Sequence, residues 1–321
     1  MSFDSEVRNT SVPQKEANFG IGTLAAATMS YANGRQRLPK PTDRLPLGSS
    51  GLLVSPICIG ITEDPETIPA AFDAGVNFFF LTGDLHWPLY EQIRRGLARL
   101  LERGPWVRDQ IVVGAVSYLE QPLFQALQFH EVVDAVPGLQ RVDVLIAGAI
   151  PNEQSFFGRL GEQFSGRFQA IANARMIGHS GARAIGASFH DRRTALASLN
   201  GNCLDINYIR YNTAHPGAAT DLFPYLRADR SGRIFNFKSV MSRVTPDRFK
   251  ELGFNDNYWL PKVTDYYRFV LTSPWIDGVL CSPSSPAQLA ELVQALEERP
   301  LTPQEAQYMI GLSSVATPKY F

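Results

Sequence analysis

Asp73-Ala74-Gly75-Val76-Asn77-Phe78-Phe79-Phe80-Leu81-Thr82-Gly83-Asp84-Leu85-His86 is the stretch that decides the fold. It opens as the end of a helix, turns on Gly75, runs through apolar and aromatic residues without alternation, and stops at a polar loop. A strand with no polar alternation is buried on both faces, which is the signature of a parallel sheet covered by helices. A polar loop directly after such a strand is how a parallel α/β barrel presents its active face.

Working outward, residues 45–54 read as a hairpin with Gly and Ser at its turn. Strand-like runs follow at 57–61, 76–82, 110–116, 142–149, 182–188, 203–209, 233–237 and 278–281. Helical spacing fills the intervals at 65–74, 89–102, 122–136, 154–175, 192–199, 218–226, 263–271 and 286–298. Eight strand-then-helix units predict an α/β fold, the (β/α)8 TIM barrel, whose functional residues belong on the loops after each strand. Thr302-Pro303-Gln304-Glu305 starts one extra helix, with Thr as N-cap and Pro in the first turn. Residues 1–43 carry no strong pattern and end in a Pro-rich linker, so they read as a flexible extension ahead of a barrel domain over 44–321.

Composition narrows the function classes. The chain has 321 residues, 45% of them hydrophobic, with 31 acidic and 30 basic residues. That balance gives no electrostatic footprint for nucleic acid or an anionic membrane. Cys58, Cys203 and Cys281 lie far apart in apolar surroundings and read as reduced thiols. The Ala-rich stretch 20–32 follows Asp4, Glu6 and Glu16 as well as Arg8 and Lys15, so it lacks the basic region of a signal peptide. No run reaches the roughly 18–20 apolar residues of a membrane span. The expectation is a cytoplasmic protein acting on a small molecule, with no nucleic-acid or membrane partner. A protein partner would be met through the N-terminal extension.

Six short motifs occur in order: Leu47 to Pro56, Gly75 to Phe79, Arg108-Asp109, Arg183-Ala184-Ile185-Gly186 with Ser188, Tyr211-Asn212, and Ser285-Pro286 with Gln288-Leu289. In that order and spacing the chain resembles the aldo-keto reductases from about residue 45 to residue 304. The resemblance implies the barrel, with an N-terminal hairpin and a C-terminal extra helix. In that family a Tyr supported by Lys, Asp and His delivers the proton during NADPH-dependent carbonyl reduction. Carried over residue by residue, the Asp falls on Phe80, the Tyr on Leu85, the Lys on Val116 and the His on Gly148. Of the cofactor contacts, Ser188 and Glu291 match, whereas Phe189 stands for Asn, Tyr208 for Gln, and Ser282 and Gln288 for the two cations that grip the 2′-phosphate. The resemblance implies NADPH, and these replacements remove the charged grip that distinguishes NADPH from NADH, so the expected cofactor is none or unknown.

Phe80, Leu85, Val116 and Gly148 predict an apolar pocket, roomier where Gly replaces an imidazole. Polar residues ring it: Asp84, His86, Ser117, Tyr118, Asn152, Glu153, His190, Asp191, Arg210, Tyr211, Asn212, His215, Lys238 and Arg243. Three of the chain's five histidines fall in these loops. His86, His190, His215, Asp84 and Tyr118 are the expected acid/base groups, with Arg210, Tyr211, Asn212 and Lys238 lining the pocket. No His-x-His or His-x-x-x-His spacing supports a metal. The alternatives are that Arg210 pairs with Asp191 or Asp205 merely to fix a loop, and that Lys238 is a surface lysine rather than a Schiff-base or anion-binding one. Tyr258-Trp259-Leu260 and Tyr266-Tyr267 read either as a flap over the pocket or as exterior packing. Three functions compete: non-redox cyclisation, elimination or isomerisation of a hydrophobic metabolite; nicotinamide-dependent reduction with Tyr118 or His86 as proton donor; and a non-catalytic scaffold.

Overall fold

The computed structural model describes residues 35–83, 86–119, 122–152 and 182–316; Asp84, Leu85, Glu153, Phe156, Phe157 and the helix expected over 154–175 lie outside them. The deciding stretch gives strand Phe78–Thr82, buried at all five residues. In chain order the strands are β1 Leu45–Pro46, β2 Leu53–Val54, β3 Ile57–Ile59, β4 Phe78–Thr82, β5 Val112–Ser117, β6 Val144–Ile150, β7 Ala184–Phe189, β8 Ile206–Arg210, β9 Arg233–Phe237 and β10 Gly278–Cys281. β1 and β2 form the antiparallel hairpin, and the remaining eight close into a parallel barrel in the order β10, β3, β4, β5, β6, β7, β8, β9.

The helices are α1 Thr67–Asp73, α2 Glu91–Leu101, α3 Pro105–Gln110, α4 Pro122–Asp134, α5 Arg192–Asn200, α6 Ala218–Asp221, α7 Pro246–Glu251, α8 Val263–Thr272, α9 Pro286–Ala295 and α10 Pro303–Ala316. Two of these, α3 and α7, are additions to the expectation, each a short helix with Pro in its first turn. The helix expected over 218–226 stops at Asp221, because Leu222 adopts φ −129°, ψ −61° and a separate 3-10 turn begins at Phe223. Among the described residues no helix is long and apolar enough to cross a membrane.

The hairpin closes the N-terminal end of the barrel. A Cβ on Gly48 would lie 2.1 Å from Asp205 Oδ1, and Arg233 Nε donates to Pro46 O at 2.8 Å. Asn77 ties the hairpin to β4, accepting from Ser55 N–H at 2.6 Å and donating to Leu53 O at 2.9 Å. Gly75 makes the preceding turn at φ +96°, a conformation glycine tolerates best. Residues 35–43, read from sequence as part of a flexible extension, are docked: Arg35 donates to Ser273 O and Ile276 O, and Leu38 is buried.

Strand alternation sorts the barrel interior from the helix layer. Phe78, Phe80, Tyr208 and Phe235 meet inside, with ring centroids 5.6 Å apart for Phe78–Phe235 and Phe80–Tyr208 and 6.0 Å for Tyr208–Phe235. These four aromatic rings pack across the lumen, and in a barrel of this kind a ligand is met at the C-terminal mouth. Outside, Trp259 stacks on Tyr308, whose hydroxyl donates to Trp259 O at 2.8 Å, and Tyr266 Oη accepts from Val244 N–H at 2.9 Å. Trp259 thus packs against α10, and Tyr266 braces the loop after β9. Thr213 Oγ1 lies 2.6 Å from both Ser242 Oγ and Ser313 Oγ, pinning the loops after β8 and β9 to α10.

Candidate functional site

The mouth divides into two parts. On the β4–β6 side the residues standing at strand ends are Phe80, Val116 and Gly148; Phe80 and Val116 are buried. The Gly148 position is not roomy. A Cβ there would come within 2.5 Å of Tyr118 Cδ1 and Cε1, so the Tyr118 ring already occupies the space that a larger residue would need. Tyr118 in turn stands ring to ring with His86 at 5.4 Å. His86 is exposed and precedes the 3-10 turn Trp87–Tyr90.

On the β7–β9 side the register brings the polar residues together. Phe189 pairs with Ile209 and Arg210 with Phe237, so His190, Arg210 and Lys238 end three adjacent strands. His190 is held at its backbone by Ile150 O at 2.9 Å, and its ring lies 6.3 Å from Phe237. Ser188 Oγ accepts from Ala149 N–H at 2.7 Å, fixing Ala149 at φ +53°. Lys238 is also left-handed, at φ +59°, and exposed. Non-glycine residues in that conformation are costly and collect at functional sites.

Asn212 organises the next loop. Its Nδ2 donates to Lys238 O at 2.9 Å, and its Oδ1 accepts from Ala214 N–H at 3.1 Å and His215 N–H at 2.9 Å. These bonds fix which end of the amide is oxygen. His215 Nδ1 lies 3.2 Å from that same oxygen. A carbonyl oxygen only accepts, so Nδ1 carries the hydrogen and the neutral ring presents its lone pair on Nε2.

The charges nearby act on both histidines. Burial first, then Lys238 and Arg210, lowers the pKa of His190 below the usual imidazole value. Burial first, then Arg210, Arg192 and Lys238, lowers that of His215. Arg192 is answered by Asp221, at 2.7 and 2.5 Å. Asp191 does not pair with Arg210; it caps α5 by accepting from Thr194 N–H and Oγ1–H at 2.8 and 2.7 Å. Asp205 accepts from Ile185 N–H at 2.9 Å.

The structure therefore unites His190, His215, Arg210 and Lys238, and sets His86 and Tyr118 apart as a second pair. Two expected pocket residues are reassigned. Tyr211 is fully buried and points outward, its ring 5.2 Å from Phe223 and 5.5 Å from Phe269, because it is odd-numbered relative to inward Tyr208. Asn212 is fully buried and serves as the support of His215, not as a pocket wall. Glu291 lies exposed on α9. No cluster of three His, Cys, Asp or Glu among the described residues is arranged to hold a metal.

No family model and no curated protein matches the chain. Among solved structures it is similar to a Pseudomonas aeruginosa protein described as an aldo-keto reductase, with 17% identity and a TM-score of 0.58 over 82% of this chain and 97% of that one. It is also similar to an aldo-keto reductase of Bacillus halodurans in its holo form, with 15% identity and a TM-score of 0.63 over 87% of this chain and 98% of that one. The chain has the aldo-keto reductase fold.

Proposed function

We propose that this barrel performs non-redox acid/base chemistry, an isomerisation, elimination or cyclisation, on a mostly apolar small molecule, with His215 as base and His190 beside it. The Asn212–His215 pair carries the reading: a base needs a lone pair, a fixed tautomer and a partner that orients it. Nε2 takes a proton from the substrate. The adjacent cations stabilise negative charge developing there and disfavour a lasting imidazolium, so the proton is readily returned to another carbon or to a leaving group.

The rest of the mouth supports the same reading. In this proposal the reductase tetrad is replaced, since Phe80, Val116 and Gly148 offer no proton donor and Tyr118 covers Gly148. The residues present do not fit the 2′-phosphate of NADPH. Gln288 Oε1 is engaged with Ser284 N–H at 3.0 Å, and Ser282 brings no charge.

A second reading draws on the likeness to an aldo-keto reductase in holo form: nicotinamide-dependent reduction with Tyr118 or His86 as donor, the two being in ring contact. Mass spectrometry separates the two. The protein is incubated with apolar carboxylates and phosphate esters, with and without NADH or NADPH. The first reading expects products of unchanged mass, or products lacking water, formed without nicotinamide and reduced about 10²–10⁴-fold in His215→Ala. Products that gain two hydrogens only when NADH or NADPH is supplied overturn it in favour of the second.

A further inference from the structure

We propose that Arg210 and Lys238 form an anion subsite that holds the carboxylate or phosphate group of the substrate at the barrel mouth. The inference rests on the acid/base reading for its place and deepens it by naming the substrate class.

Arg210 is the last residue of β8 and pairs in register with Phe237, so Lys238 emerges on the neighbouring strand, about 4.8 Å across the sheet. Tyr208 faces the lumen, and Arg210, two residues on, shares that face. Several described carboxylates are committed elsewhere: Asp191 to the cap of α5, Asp221 to Arg192, Asp205 to Ile185 N–H and Asp229 to Arg227. Among the described residues, then, neither Arg210 nor Lys238 has a carboxylate partner. Arg210 is only half exposed, and a partly desolvated guanidinium gains most from an anion that accepts two of its N–H groups at once.

Backbone geometry fixes where the second cation leaves the chain. Lys238 adopts φ +59°, and Asn212 Nδ2 donates to its carbonyl, so the residue that orients His215 also braces the backbone of the lysine, whose charge acts on His190 and His215. Anion and base are thereby set on one frame. The apolar wall beside them is Phe237, which pairs in register with Arg210 and is only partly buried, so the ligand class is an anionic head on an apolar body, bound head-first against β8 and β9.

Calorimetry and thermal shift on the full chain test this with benzoate, inorganic phosphate, benzyl alcohol and NADH as probes. Benzoate and phosphate are expected to bind saturably and benzyl alcohol is not. Arg210→Gln and Lys238→Gln should each weaken benzoate roughly 10- to 100-fold, with Arg210→Lys intermediate. Circular dichroism of each variant verifies that the fold is kept. Absence of saturable benzoate and phosphate binding, or binding that both Gln variants retain, overturns the subsite. NADH binding that phosphate displaces, with no benzoate binding, would mean that the cations grip a dinucleotide's pyrophosphate and would overturn the substrate class. Anion binding requires no turnover. If it is lost in Arg210→Gln while the metabolite panel gives no nicotinamide-independent product, the subsite stands and the acid/base reading falls. A product that His215→Ala abolishes, without anion binding, removes the subsite alone.

Discussion

Replacing Gly148 by Ala tests directly whether the Tyr118 ring fills the mouth on the β4–β6 side. The new methyl would lie 2.5 Å from two ring carbons and 2.9 Å from a third, closer than carbon atoms approach without one moving. Overpacking of this kind costs about 1–3 kcal/mol. Gly148 is not among the glycines at positive φ, so the backbone itself accepts alanine, and the stiffer unfolded chain then contributes about 0.4–1 kcal/mol of stability. The same substitution made in a Tyr118→Ala background, where no ring is present, should therefore be neutral or stabilising. The unfolded-chain effect is common to both backgrounds and cancels, so the coupling that a double-mutant cycle reads from urea unfolding of the four proteins is the overpacking cost, about 1–3 kcal/mol. A cycle with coupling under about 0.5 kcal/mol, the ordinary limit of additivity for independent sites, would refute the contact and reopen the idea of a vacant pocket at Gly148.

Asp143 accepts from both Arg108 and Val113 N–H at 2.8 Å, with the ion pair almost wholly buried, so Asp143→Ala should cost about 3–5 kcal/mol in denaturant melts by leaving Arg108 uncompensated. His190 and His215 have folded pKa values below their unfolded ones, near 6.5, so the unfolded chain binds the extra protons first. Their contribution is complete above about pH 6.5 and is lost as pH falls through the lowered folded values, which stability curves on wild type and a His190→Gln/His215→Gln double variant will isolate. Thr213→Val removes the hydroxyl shared with Ser242 and Ser313 and should destabilise by about 1–3 kcal/mol, measured as a shift in denaturation midpoint. NADPH, titrated by fluorescence, should bind no more tightly than NADH, since neither Ser282 nor Gln288 offers a cation to its extra phosphate; a preference for NADPH would contradict that.

The barrel is legible in the sequence because its strands are short apolar runs separated by helical spacing, and Phe78–Thr82 satisfies both sides of that pattern at once. Tyr211 could also have been placed outward from sequence, since a period of two from Tyr208 sends Arg210 in and Tyr211 out. Helix α7 carried a readable signal in Thr245 as N-cap followed by Pro246, with Thr245 Oγ1 accepting from Arg248 N–H at 3.2 Å. The filling of Gly148 had no such signal. Deleting a side chain opens space only if no neighbour turns into it, and the rotamer of Tyr118, thirty residues earlier, is set by packing across two strands. The role of Asn212 was hidden for a similar reason. Its spacing to His215 is plain in the chain, but the choice between lining a pocket and bracing an imidazole depends on a turn whose two ends pair as a bridge.

The central claim is that His215 is a neutral base with its lone pair on Nε2, oriented by Asn212 and kept deprotonated by burial and nearby cations. Long-range ¹⁵N–¹H NMR of the imidazole, followed through a pH titration of wild type and Lys238→Gln, reads tautomer and pKa together. The account predicts the Nδ1–H tautomer, a midpoint below the ordinary histidine value of about 6.5, and an upward move when the lysine charge is removed. An Nε2–H tautomer, or a midpoint at or above the ordinary value that ignores Lys238, would contradict it.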